Sequence, residues 1–118
     1  MAERPYQQLV AWQEAHKLCM WIYAITKKLP PNERFRLVNQ MCRSAYSAPT
    51  NIAEGNARRS KKDKAHFFEI VLSSLEELHY QCLLSRDMGY IANEEFKIAE
   101  DKISRTSYLT HKLRLKFL

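Results

Sequence analysis

The sequence predicts an all-α protein folded as an antiparallel, up-down-up-down four-helix bundle. Three observations carry that reading. Apolar residues recur at alternating steps of three and four in four successive stretches, the spacing that lines one face of a helix. Only two glycines and four prolines occur in 118 residues, too few turn formers for a sandwich or barrel of short strands. Where glycine and proline do occur, they fall at or near the borders of the periodic stretches, with Pro49 the exception.

The first helix is expected from about Tyr6 to Lys28, with Ala11, Ala15, Leu18, Ile22, Ile25 and Leu29 inward. Pro30-Pro31 stops it, because proline lacks the amide hydrogen and disfavours a helical residue before it. The second is expected to open at Asn32 as N-cap and to bury Phe35, Val38, Cys42, Ala45 and Ile52. Pro49 should kink it, and Gly55 should close it as a left-handed C-cap.

Ser60-Lys61-Lys62-Asp63 resembles a capping box that starts helix three. Phe67, Ile70 or Val71, Ser74 or Leu75, Leu78 and Cys82 form its inward face, and Gly89 ends it. Asn93 caps helix four, with Glu94 and Glu95 at the positive end of its dipole. Phe96, Ala99, Ile103, Thr106, Thr110, Leu113 and Phe117 then make a bundle seam. Short connections favour antiparallel neighbours, and one domain over residues 1–118 accommodates the whole chain.

Composition excludes several classes. The start MAERPYQQLV lacks the apolar run of a secretory signal, and no apolar stretch approaches the ~20 residues that cross a bilayer. The expectation is therefore a cytoplasmic protein without membrane association. Cys19, Cys42 and Cys82 are odd in number and widely spaced, which suits reduced, buried thiols better than disulfides or zinc. His16, His66, His79 and His111 show no metal-ligand spacing, and neither a nucleophile elbow nor a Gly-rich phosphate loop occurs. No enzyme activity, cofactor, metal or small-molecule substrate is indicated.

Up-down topology polarises the charge. The N-terminus, the second connection and the C-terminus share one end, which gathers Arg4, Arg58, Arg59, Lys61, Lys62, Lys64, Lys112, Arg114 and Lys116. Against them stand Glu3, Glu54 and Asp63, so this end alone carries a surplus equal to the net charge of +6. One reading is a phosphate-binding surface beside the free amides that open helix three. The other is a solvated loop that keeps the protein soluble. Signatures of sequence-specific nucleic-acid readers are missing.

Two further patterns stand out. Gln40, Arg43, Ser47, Asn51 and Glu54 share a side of helix two, and Ser74, Glu77 and Gln81 a side of helix three. With the turn near residues 58–59, an Arg43–Glu77 ion pair inside a polar seam is expected, fixing helix register or a subunit contact. Glu54 and Glu77 fall too far apart along the axis for paired acid–base work. Helix one carries a second apolar stripe of Leu9, Trp12, Cys19 and Tyr23. That stripe implies either a broad core face or an oligomer contact, with Trp12 and Tyr23 the candidate contact residues.

Several of these residues, in these combinations, resemble the four-helix bundle family of 23S rRNA intervening-sequence proteins. The likeness runs through Trp12-Gln13-x-Ala15, Thr26-Lys27-Lys28-x-Pro30, Glu33-Arg34-Phe35 and Gln40-x-x-Arg43. It continues in Ser47-x-Pro49-x-Asn51-Ile52-Ala53-Glu54-Gly55 and Ser74-Leu75-x-Glu77-Leu78, spanning about residues 9 to 91. The sequence departs from the family pattern at Cys42, Ser44 and Ser73, where arginine, alanine and glycine are common. The resemblance implies a cytosolic bundle assembled as a pentameric ring. A distant likeness to accessory variability proteins of retroelement reverse transcriptases implies a basic, nucleic-acid-binding module. RNA or a ribonucleoprotein is thus the first expected partner, and a protein-interaction or structural scaffold the alternative.

Overall fold

The computed structural model describes residues 3–118 as four α-helices. A 3-10 turn, Pro5–Gln8, precedes α1, Val10–Ile25, which runs on into a second 3-10 turn, Thr26–Lys28. A third such turn, Pro31–Glu33, leads to α2, Leu37–Ala57. Helices α3, Lys61–Asp87, and α4, Asn93–Leu115, complete the chain.

Among the described residues, α1 packs on α2, α2 on α3, α3 on α4 and α4 back on α1, with no diagonal pair in close approach. That square arrangement is the antiparallel bundle expected from short connections. The α2–α3 pair is the most extensive of the four.

The core stripes of α1 and α4 lie where periodicity puts them. Ala15, Leu18 and Ile22 are fully buried, as are Ala99, Thr106 and Thr110, with Ile103 nearly so. The two threonines are tolerated there because each hydroxyl donates to the carbonyl four residues back, Lys102 and Thr106 respectively.

Helices α2 and α3 keep most of their expected stripes, with Ala45, Ile52, Val71, Leu75, Leu78 and Cys82 buried, and depart from them at a few positions. Phe35 is 82% exposed, with the Arg34 guanidinium 5.3 Å from its ring centre, and Cys42 is only partly buried. Met41 and Ala48 join the expected Ala45 and Ile52 in the core instead. In α3, Phe68 rather than Phe67 is the fully buried ring. Two adjacent phenylalanines fit either phase of the pattern, and packing on α2 selects the second.

The helix boundaries differ too. Asn32 does not cap α2. Pro30 and Pro31 set a short 3-10 turn, and Arg36, at φ −124° and ψ −100°, breaks the chain before α2 begins. Gly55 is not a left-handed C-cap. It lies inside α2, and Gly89 is the one residue with positive φ among those described. Gly89, at φ 79°, does close α3 as expected.

Ser60 caps α3 by accepting the Asp63 amide at 3.0 Å. Ala92, not Asn93, is the residue before α4, and its amide donates to Glu95 Oε1 at 2.7 Å. The acid three residues in performs the capping without help from an Asn side chain.

Pro49 is buried within a continuous α2. It removes one amide from the ladder, so the carbonyl of Ala45 loses its usual partner. Two residues earlier, Ser47 makes up a tie to the neighbouring helix: its hydroxyl is 2.8 Å from that of Ser74.

Candidate nucleic-acid interface at the basic end

The structure gives the basic side chains different employment. Arg58, Arg59, Lys61, Lys62, Lys112 and Lys116 are exposed, and none has a carboxylate partner among the described residues. Lys64 is half-buried and donates to the Asn56 carbonyl at 2.8 Å, tying the start of α3 to the end of α2. Arg114 pairs with Glu69 at 2.7 Å, tying α4 to α3. Of the eight cations expected to contact an anion, these two hold the fold and six remain free to bind.

Aromatic rings order this end. The Arg58 guanidinium lies 4.6 Å from the centre of the partly buried Phe67 ring and covers it. Phe117 packs 6.0 Å from Phe68, with the Lys64 ammonium 5.4 Å from its own ring. The end of α4 is thereby brought against the loop between α2 and α3. Arg4 and Tyr6 of the first 3-10 turn line a recess with Ala53, Glu54 and Asn56 of α2, so the N-terminal segment joins the same end.

The opposite end is partly neutralised by pairing, although Lys27, Arg34 and Arg36 stay exposed there with no carboxylate partner among the described residues. Lys28 forms an ion pair with Glu95. The Tyr90 hydroxyl donates to Glu33 at 2.9 Å, joining the α3–α4 connection to that between α1 and α2. Partway along the bundle, at neither end, Arg105 and Glu14 pair at 2.7 Å across α4 and α1. The basic end still holds the larger share of the uncompensated cations.

The seam between α2 and α3 is smaller than expected. Its linkage is the Ser47–Ser74 hydrogen bond, reinforced by Asn51, whose Nδ2 donates to the carbonyl and hydroxyl of Ser47 at 2.8 and 3.0 Å. Gln40, Arg43, Glu54 and Glu77 are all exposed. No Arg43–Glu77 ion pair forms among the described residues. Both side chains reach water more cheaply than they reach each other, which is the usual fate of long charged groups at a helix surface.

With this geometry in view, the sequence profile of the 23S rRNA-intervening sequence proteins matches residues 7–112. The chain belongs to that family. Its fold is also that of a solved member of the S23 ribosomal protein family from Bacteroides thetaiotaomicron, a protein of unknown function. The two are 22% identical, with a TM-score of 0.82 over 89% of this chain and 95% of the other. No curated protein matches the sequence significantly.

In this family member, the second stripe of α1 divides. Leu9, Trp12 and Cys19 pack against the core from its margin. Trp12 is held by Tyr6 edge-on at 5.1 Å and by His16 stacked at 5.0 Å. Tyr23 instead stands 46% exposed, beside Met20 at 62%. Desolvation, followed by the neighbouring Cys42, Cys19 and Tyr46, raises the Tyr23 phenol above its ordinary range. Tyr46 of α2 thus extends the same apolar surface. It lies off the core stripe of its helix, so periodicity does not single it out.

The four histidines remain dispersed. His79 meets Glu100 at 2.9 Å, and His16 stacks on Trp12. Among the described residues, no group of three His, Cys, Asp or Glu side chains could hold a metal ion, and no helix is long and apolar enough to cross a membrane.

Proposed function

We propose that this protein is a non-enzymatic, self-assembling RNA-binding module of the cytosol, which holds phosphates at its basic end. The observation that carries the reading is the set of six exposed, unpaired cations on the α2–α3 loop, the start of α3 and the end of α4. Two of them, Lys61 and Lys62, sit in the first turn of α3, where helix amides add to the attraction for anions. Membership in a family named for 23S rRNA intervening sequences makes RNA the natural polyanion, free or within a ribonucleoprotein.

Assembly strengthens the case. A surface of Met20, Tyr23 and Tyr46 supplies an apolar face for contact between copies, and a pentamer is the form that family resemblance suggests. Several copies of a weak phosphate site bind a long chain far more tightly than one. Light scattering at micromolar concentration tests this half: a monomer overturns it, and a Tyr23→Glu variant should shift an oligomer toward smaller species.

Binding is tested by titrating the protein into structured RNA at rising salt. Steep loss of affinity with salt is expected, because each neutralised phosphate releases counterions. Replacing Arg58, Arg59, Lys61 and Lys62 together with Ala should abolish retention at physiological salt. Unchanged retention by that variant removes the reading. The same exposed apolar face favours a second one, a protein scaffold without nucleic-acid binding, which predicts a recovered protein partner and no RNA retention at any of these salts.

A further inference from the structure

The basic end carries one aromatic ring that the fold does not use. Tyr108 of α4 is 62% exposed, its hydroxyl makes no hydrogen bond among the described residues, and its ring belongs neither to the hydrophobic core nor to its margin. It sits midway between Thr106 and Thr110, whose side chains turn into the core, and so projects away from it. The Lys112 ammonium lies 5.5 Å from its ring centre. Phe67 likewise lies under one cation, Arg58, but is partly buried, whereas Trp12 is sandwiched by Tyr6 and His16 and Phe117 is packed on Phe68.

Scattered exposed aromatics are ordinary and by themselves mean nothing. Tyr108 differs in its neighbours further along the helix. Lys112 and Lys116 continue the same side of α4, where both line a groove with Gln8 and Leu9. Phe117 then packs on the first turns of α3 through Phe68 and Lys64, next to the loop that carries Arg58 and Arg59 in the chain. Tyr108 to Lys116 is a rise of about 12 Å. A flat ring is therefore succeeded, within a few nucleotides' reach, by a run of free cations leading to the basic end.

This is the combination that a flexible strand requires and a duplex cannot exploit. Ring stacking needs an unpaired base that can lie on the phenol, while the next phosphates are met by lysines. In a duplex the bases are stacked on each other, and only the cations would be used. Lys112 need only swing from the ring to a phosphate, and the attraction it gives up at an exposed site is small.

Resting on the RNA reading above, we infer that the ligand is single-stranded RNA, with one base stacked on Tyr108 and its neighbouring phosphates on Lys112 and Lys116. Hydrogen-bond readout of the base edge is not part of the arrangement, so recognition is tolerant of sequence.

The test compares a short, end-labelled oligouridine with an RNA duplex of the same length, using the intact protein at fixed moderate salt. Wild type should prefer the single strand. Tyr108→Ala should weaken single-strand binding about tenfold and leave duplex binding unchanged, the loss expected for one stacked base. Tyr108→Phe should bind as wild type. Circular dichroism and the oligomeric mass of each variant should match wild type, since the side chain is exposed. Binding that falls with the Arg58, Arg59, Lys61 and Lys62 replacement but ignores Tyr108→Ala overturns this inference and leaves the basic-end reading standing. Equal loss on duplex and single strand also overturns it. No binding by wild type to either RNA overturns both.

Discussion

Gly55 and Phe68 touch across the α2–α3 interface in a way that leaves no room for a side chain on the glycine. A Cβ at Gly55 would lie 2.8 Å from Phe68 Cε1 and 2.9 Å from Phe67 Cβ. The glycine lets backbone meet ring just before the basic loop, and so sets how closely α2 and α3 converge there. Phe68 is fully buried and has little freedom to yield. Gly55→Ala gains up to about 1 kcal/mol from backbone entropy in a helix but must force the two phenylalanines aside. The expected net result is destabilisation of roughly 1–2 kcal/mol, the usual scale for overpacking. Urea denaturation checks it, and an unchanged or raised midpoint would refute the account.

The reason for Gly55 illustrates where sequence reading stops. A lone glycine near the end of a periodic stretch suggests a left-handed cap, because that is a local explanation. The actual reason lies in another helix. The stripes of α1 and α4 were legible because Ala15, Leu18, Ile22 and then Ala99, Ile103, Thr106 and Thr110 keep one unbroken three-and-four spacing, even though α1 offers a second apolar stripe beside it. The stripes of α2 and α3 were ambiguous by one residue, since Met41-Cys42 and Phe67-Phe68 offer apolar neighbours in both phases. Topology alone gathered the basic residues at one end. It could not say that Lys64 and Arg114 would be engaged, because their acceptors, the Asn56 carbonyl and Glu69, depend on how the helices rotate.

The seam residues make a second expectation that separates two kinds of polar contact. Ser74 is buried and its hydroxyl is shared with Ser47. Ser74→Ala should cost about 1 kcal/mol, the net value of a buried hydrogen bond lost with one partner left behind. Arg43 and Glu77, both exposed and unpaired, should show a coupling energy near zero. A double-mutant cycle of Arg43→Ala and Glu77→Ala by denaturation measures it, and a coupling above about 0.5 kcal/mol would show an ion pair in solution.

Acid should remove a stabilising tie at the end away from the basic loop. The Lys28 ammonium, and then the Ala92 amide, hold the Glu95 carboxyl below its ordinary range. A carboxylate depressed in the folded state adds stability that is fully present above its unfolded value, about 4.3. That contribution disappears as pH falls through the lower folded value. Lys28→Ala should raise the Glu95 titration midpoint toward the ordinary one and flatten this part of the acid limb. A carbon-detected NMR titration of the glutamates reads the midpoint directly, and an unmoved Glu95 would rule out the Lys28 link.

The three thiols should react in a graded order. Cys82 is fully buried, and burial pushes its thiol up to about 12. Cys19 is half-buried and raised as well, by desolvation first and by Cys42 second. Thiolate is the reacting form, so Cys82 in a Cys19→Ser/Cys42→Ser background should be inert to an aromatic disulfide at neutral pH until the protein unfolds. Its labelling rate should follow global stability across a urea series. Fast labelling in native buffer would mean that the α3 core opens locally.

Pro49 gives α2 a particular mechanical character. The helix is missing one internal rung at mid-length, and the hydroxyl of Ser47 fastens it sideways to Ser74 close by. Its two halves can therefore respond separately to what happens at their own ends. On the proposed function, a polyanion pulling on Arg58 and Arg59 is then expected to disturb the half of α2 after Pro49 more than the half that begins at Leu37. Amide exchange should report this as two protection blocks within α2, meeting at the proline, with only the C-terminal block altered when the basic end is occupied.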